Sequence, residues 1–186
     1  MRAAAVLWPA LGSTLVLLGW ALALSAGLGV LLGVWGARQA AAGRAVDALA
    51  ILAQSMPGFW VGILLIILFA VGLGWLPAGG TPDAPGLLDS ARFLVLPVAT
   101  LALGNIAGYA RHALAAMQGE LAAPYIRTAR MKGLAEGRIA WGHAFPNAAL
   151  PLLTLAALDA GSLVSGALVT ETLFARPGMG LSLIHI

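Results

Sequence analysis

The sequence predicts an all-α integral membrane protein, a polytopic helical bundle, and three observations carry that prediction. Hydrophobic residues make up 61% of the 186 and charged residues only 9%, against about 45–50% and about 25% in soluble domains. The ten basic and seven acidic side chains are too few to cover a water-soluble fold of this length. Long uncharged runs separate them, with tryptophans near the ends of the runs, where interfacial aromatics belong. Disorder is excluded by the same numbers, since it needs low hydrophobicity and high charge.

The first uncharged run extends from Ala3 to Ala37, about 35 residues where about 20 suffice to cross a bilayer. A span is predicted near 11–35, bounded by Trp8 and Trp35. Arg2 leads into an apolar run too long for the hydrophobic part of a signal peptide. The second run, Ala48 to Pro82, predicts a span near 48–73 with Trp75 at its exit. Pro57 lies inside it and is expected to kink the helix by removing a backbone donor. The third span is predicted near 93–117, with Arg111 toward one end. The fourth, near 147–169, is less regular: His143, Pro146, Asn147 and Pro151 disturb its start, and Asp159 interrupts its middle.

Charge sets the orientation. The connection Arg38–Asp47 carries Arg38 and Arg44 against Asp47, and Pro77–Arg92 carries Asp83 and Asp89 against Arg92. The segment from Arg111 to Arg138 carries Arg111, Arg127, Arg130, Lys132 and Arg138 against Glu120 and Glu136. By the positive-inside rule the first and third connections are cytoplasmic and the second external. The chain then enters its first span from outside, which leads one to expect a further span ahead of it. Three glycine pairs, Gly29/Gly33, Gly58/Gly62 and Gly104/Gly108, each put two small residues on one helix face. They predict close helix packing, with a pore lining as the alternative.

Other chemistry is thinly represented. A net charge of +3 suggests nucleic acid, but ten basic residues scattered between apolar runs make no continuous basic face. No nucleic-acid partner is expected. There is no cysteine, hence no disulfide or thiolate site in this chain. The motifs G-x-x-x-x-G-K-[ST], H-E-x-x-H and G-x-S-x-G do not occur. His112, His143 and His185 stand far apart, without metal-ligand spacing. Neither a catalytic residue nor a metal site is predicted.

The informative stretch runs from Glu120 to Pro151. Pro124 suits a first helical turn and Gly133 a helix stop. Between them Tyr125, Ile126, Ala129 and Met131 interleave with Arg127, Arg130 and Lys132, a helix of about two turns, too short to stand alone in water. It needs a surface to rest on. Composition leaves open whether that is anionic lipid or a groove on a cytoplasmic partner.

The segment YIRTARMKGL followed by HAFPNAALP resembles the cytoplasmic "EAA" coupling loop of ABC-importer permeases, in the form found in the dipeptide/oligopeptide/nickel branch. That loop's pattern falls here on Arg127-Thr128-Ala129, Gly133 and His143-Ala144-Phe145-Pro146. Arg127 replaces the glutamate, and His143 and Phe145 replace the isoleucine and leucine. Three further stretches resemble the same branch: QSMPGFW (Gln54–Trp60), GWLPA (Gly74–Ala78) and ETLFARPGMG (Glu171–Gly180).

The resemblance implies a permease domain over 1–181, placed in the bacterial inner membrane, with a coupling loop at 119–141. Further spans are implied before Leu7 and after Gly180, so the chain is expected to be a fragment, with 182–186 a non-native tail and His185 without a role. It implies an importer for peptides or related small solutes, with a second, homologous permease subunit and an extracytoplasmic solute-binding protein. Cytoplasmic ATPase subunits would bind ATP and Mg, and this chain would hold no cofactor. Tyr125, Arg127, Thr128, Ala129, Arg130, Lys132, Gly133 and Glu136 are the implied coupling residues. Ala129 would allow close approach of the ATPase, Gly133 would supply the turn, and Glu136 is a candidate partner charge.

Asp159 and Asn105 are candidates for the translocation path. The family often has an uncharged polar residue where Asp159 stands. A charge there costs about 2.5–3.5 kcal/mol on insertion scales and should face protein or water. It is either a buried carboxyl bonded to a neighbouring helix or a contact for a substrate ammonium group or cation. Glu171 is expected to be a helix-end or gate residue. The competing functions are a non-ABC carrier, a structural membrane subunit, or a membrane-embedded enzyme using Asp159, Glu171 and His143. The last would have to join His143 and Glu171 from opposite ends of one span.

Overall fold

A computed structural model describes residues 2–82 and 86–180. Asp83, His185 and the 182–186 tail lie outside the described residues. Among the described residues every regular element is helical: α1 (Arg2–Arg38), α2 (Ala40–Gln54), α3 (Gly58–Leu65) with a π-helical continuation Ile66–Gly72, α4 (Leu87–Leu121), α5 (Pro124–Met131), α6 (Glu136–Ile139), a π turn Ala140–Ala144, and α7 (Phe145–Leu173). Among the described residues three unbroken stretches, Trp8–Arg38, Leu88–Leu121 and Glu136–Leu173, are long and apolar enough to cross a membrane. They contain the predicted first, third and fourth spans.

The second predicted span needs correction. Instead of one kinked helix over 48–73, α2 starts at Ala40, the path breaks after Gln54, and the helix resumes at Gly58, bent by 93°. Pro57 is the cause. It has no N–H to continue the ladder, and it disfavours helical geometry at Met56. Pro57 itself is extended (φ −60°, ψ 135°), and its carbonyl accepts the amides of Trp60 and Val61, which starts α3. The loop predicted over Arg38–Asp47 shrinks to Gln39, whose extended backbone (φ −140°, ψ 124°) separates two helices. The alanine-rich segment AAAGRAVDALA is a strong helix former and takes Arg44 and Asp47 into α2. At the far end, π geometry over Ala140–Ala144 carries the chain into α7 through the residues expected to disturb its start. It ends just ahead of Pro146, which could not have donated to Gly142.

The chain forms two compact units, with α1, α4 and α7 each passing from one to the other. Among the described residues the first comprises 2–23, 56–82, 86–104 and 160–180. In it Gly62 lies against Leu173 and Thr100, where an added Cβ would approach their side chains to 2.5 and 3.0 Å. The Gly74–Ala78 stretch folds back on the helix before it. The amides of Trp75 and Leu76 donate to the Phe69 carbonyl, the rings of Phe69 and Trp75 lie 6.1 Å apart, and Arg92 donates to the Trp75 carbonyl at 2.9 Å.

The second unit comprises Leu24–Ser55 and Asn105–Asp159. Here Gly29 and Gly33 of α1 lie directly on the backbone of α4: a Cβ on Gly29 would overlap Tyr109, and one on Gly33 would come within 2.6 Å of the Ala110 carbonyl. The packing reading therefore holds for that pair and for Gly62. Gly58, Gly104 and Gly108 meet nothing within 4 Å, so their small size serves no contact among the described residues. At the α1–α2 corner Gly36 and Gly43 approach each other closely, and Asp47 of α2 pairs with Arg111 of α4 at 3.7 Å. The core of this unit gathers Val34 of α1, Met117 of α4, Ile126 and Ala129 of α5, Ile139 of α6, Ala140 and Ala144 of the π turn, and Ala148 of α7.

Candidate functional site

The segment Pro124–Gly133 folds as its sequence dictates. Pro124 occupies the first turn of α5, behind an extended Ala123. The helix ends in a full C-terminal cap: the Leu134 amide donates to the Ala129 carbonyl, the Gly133 amide to the Arg130 carbonyl, and Gly133 sits at φ +76°. This left-handed position is where a glycine costs least, so the predicted turn role of Gly133 has a geometric basis.

Eight residues make one buried stripe and one exposed stripe. Ile126 and Ala129, three apart, are 0% and 6% exposed and sit in the core. Arg127, Thr128, Arg130, Met131, Lys132 and Gly133 are exposed. Ala129 was expected to let a partner approach; instead its small side chain lets α5 approach this chain's own core, and it is not open to a partner. Met131 was not among the predicted coupling residues, yet it is 80% exposed, a large apolar side chain on a polar face. Helical spacing could have shown this, since 131, five residues after 126 and two after 129, falls on the face opposite them.

Tyr125 braces the helix at its other end. Its hydroxyl donates to the Glu120 carboxylate at the end of α4 and accepts from Asn147 Nδ2 of α7 at 3.0 Å. Burial, then the bond to Glu120, push the phenol above its ordinary value. Glu120 and Asn147 escaped the sequence reading because their role depends on three segments meeting. Across the Gly133 turn, Arg130 makes a bidentate pair with Glu136, at 2.8 and 3.2 Å, and that hydrogen bond raises the guanidinium. Glu136 is thus the partner charge of Arg130 within this chain.

Asp159 stands at the midpoint of α7, half-buried, and its carboxylate acts on the hydroxyl of Tyr109 of α4, which is 1% exposed. Asn105 lies four residues before Tyr109 on α4, hence on the same face, and has an interaction of its own within the chain. Tyr109 was missed: in sequence it is one aromatic among many apolar residues.

Glu171, in the first unit, is fully buried. It accepts the Thr14 hydroxyl and the Gly180 amide (2.9 Å), and a Cβ on Gly178 would overlap its carboxylate. Arg176 Nε donates to the Ser13 hydroxyl at 3.2 Å, and the Met179 amide to the Thr14 hydroxyl at 3.0 Å. ETLFARPGMG therefore closes on itself around Glu171 and ties to α1, a helix-end role. Among the described residues no three His, Asp or Glu side chains gather to hold a metal ion.

Residues 29–186 match a protein family described as binding-protein-dependent transport system inner membrane component. The chain is 40% identical over 151 residues to the di/tripeptide transport system permease protein DppB of Pseudomonas aeruginosa (strain UCBPP-PA14), covering 70% of this chain and 45% of that protein. It is 38% identical over 129 residues to the oligopeptide transport system permease protein AppB of Bacillus subtilis (strain 168), covering 68% of this chain and 41% of that protein. The chain thus spans less than half the length of each of these relatives.

Proposed function

The chain belongs to the family of inner membrane components of binding-protein-dependent transport systems, and from that premise we propose that it is a permease subunit of an ATP-driven importer for peptides or related small solutes. The observation that carries the coupling part of this reading is α5, with one stripe buried in its own chain and the other, containing Arg127, Arg130, Met131 and Lys132, left open. In this reading that stripe faces the cytoplasm and docks into a groove on an ATPase subunit. Met131 enters the groove and the basic residues make polar contacts around it.

Closure of the ATPase pair on ATP then pushes α5. Because α5 is fixed to α4 through Tyr125–Glu120 and to α7 through Asn147, the push reaches both helices and rocks them between inward- and outward-facing states. ATP and Mg are held by the ATPase subunits. A second permease subunit completes the path, and an external solute-binding protein delivers the solute.

The test is ATP-dependent uptake of a labelled dipeptide into proteoliposomes holding the whole transporter. Met131→Glu is expected to leave insertion of the subunit intact and to abolish both ATPase association and uptake. Uptake at the wild-type rate would remove the docking assignment.

A further inference from the structure

Helix α5 contains no acidic residue, and it exposes Arg127, Arg130 and, just past its end, Lys132. These three cations are not equivalent. Arg130 stands four residues after the buried Ile126, at the edge of the buried stripe. Its fork meets both carboxylate oxygens of Glu136 across the Gly133 turn, at 2.8 and 3.2 Å. That pair neutralises Arg130 and joins the end of α5 to the first turn of α6. Arg127 lies four residues before Met131 and shares its outward face, with about 5–6 Å between Cβ atoms at that spacing. Its side chain makes no hydrogen bond or ion pair among the described residues. It also stands in the first turns of α5, near the positive end of the helix dipole, with no acid there to offset it. A cation that opposes its own helix and pairs with nothing in its own chain has its use outside that chain.

We propose a division of roles on this surface: Arg127 and Met131 fit a protein groove that offers a carboxylate one helical turn from an apolar pocket, and Arg130 is a positioning residue that Glu136 clasps to hold the end of α5 against α6. The inference rests on the docking reading above and narrows its polar contacts. Charge complementarity gives the occupant its chemistry. With Arg130 neutralised, Arg127 and Lys132 leave two positive charges around one exposed thioether, and an acidic rim about an apolar pocket is the complement. A lipid surface fits less well. A helix lying on lipid turns its apolar stripe outward, whereas the stripe holding Ile126 and Ala129 is turned into its own chain.

The test is a titration of purified ATPase subunits onto the transporter's membrane subunits in nanodiscs of neutral phosphatidylcholine. Arg127→Glu is expected to weaken binding about tenfold or more, as loss of a hydrogen bond between charged groups does. Arg130→Glu breaks an exposed pair and should weaken it about two- to fivefold. The swap Arg130→Glu with Glu136→Arg should restore wild-type binding. That swap separates positioning from contact, because a guanidinium that meets the partner directly is not replaced by one at position 136. Arg130→Ala with Glu136→Ala keeps the net charge and removes the clasp, and should bind as weakly as Arg130→Glu.

Wild-type binding by Arg127→Glu, or a swap as weak as Arg130→Glu, would overturn the proposal. So would an Arg127→Glu effect seen only in nanodiscs containing phosphatidylglycerol, which would assign Arg127 to anionic lipid. Should the Arg130 variants fail to insert, Glu136→Gln carries that arm. It makes the face more basic, yet it should weaken binding about two- to fivefold, and wild-type binding would overturn the clasp. Met131→Glu reports on the docking reading itself. Binding lost there but kept in Arg127→Glu would overturn this inference alone, and binding kept in both would sink the docking reading as well.

Discussion

Two left-handed positions close two helices in the same way, and they carry different residues. After α5 the position is Gly133 at φ +76°. After α7 it is Ala175 at φ +46°, where the Arg176 amide donates to the Glu171 carbonyl and the Ala175 amide to the Thr172 carbonyl. A side chain in that region costs about 1 kcal/mol or somewhat more. Gly133→Ala should therefore lower stability by about 1 kcal/mol, and Ala175→Gly should raise it by a similar amount, read as opposite shifts in thermal unfolding of the purified protein in detergent. Shifts of the same sign would contradict the cap geometry. Gly178 is a different case, since it is constrained by space: a Cβ there meets the Glu171 carboxylate, and Gly178→Ala should damage the turn that Ala175→Gly improves.

At the scale of elements, α5 separates two kinds of substitution that lie two residues apart. Ala129→Leu forces volume into a packed seat and should cost about 1–3 kcal/mol, and Ile126→Ala should cost about 2–5 kcal/mol by opening a cavity. Both act on the chain itself, visible as faster amide exchange across Pro124–Leu134. Met131→Glu changes only the exposed stripe and should leave that exchange unaltered. The α1–α4 crossing makes a comparable prediction: Gly33→Leu has no room against the Ala110 carbonyl and should prevent folding, whereas Gly108→Leu, with nothing within 4 Å, should be tolerated in the isolated subunit.

How far the sequence could be followed differs between these elements. The apolar runs and the Pro124–Gly133 helix were legible because burial in lipid and a two-turn helix both have short-range signatures. The sharp break at Pro57 was under-read as a kink, since whether a proline bends or breaks a helix depends on what packs on either side. The start of α2 at Ala40 was missed because charges suggested a loop where alanines make a helix. At the candidate sites, Gly133 could be read locally, but the inward face of Ala129, the bracing of Tyr125 by Glu120 and Asn147, and the pairing of Tyr109 with Asp159 all join residues from different segments.

For the molecule as a whole, the proposed docking makes α5 a part that belongs to this chain on one side and to a partner on the other. Its inner stripe, its brace at Tyr125 and its cap at Gly133 fix it to α4 and α7, which is what a transmitted push requires. The most direct measurement is site-directed crosslinking in the assembled transporter, using the cysteine-free background the chain provides. A short bifunctional reagent is applied to Met131→Cys and, separately, to Ala129→Cys. A crosslink from position 131 to the ATPase subunit, altered by ATP, is expected, and none from position 129. Crosslinking from position 129, or its absence from position 131 in a complex that still hydrolyses ATP in step with uptake, would contradict the proposed docking.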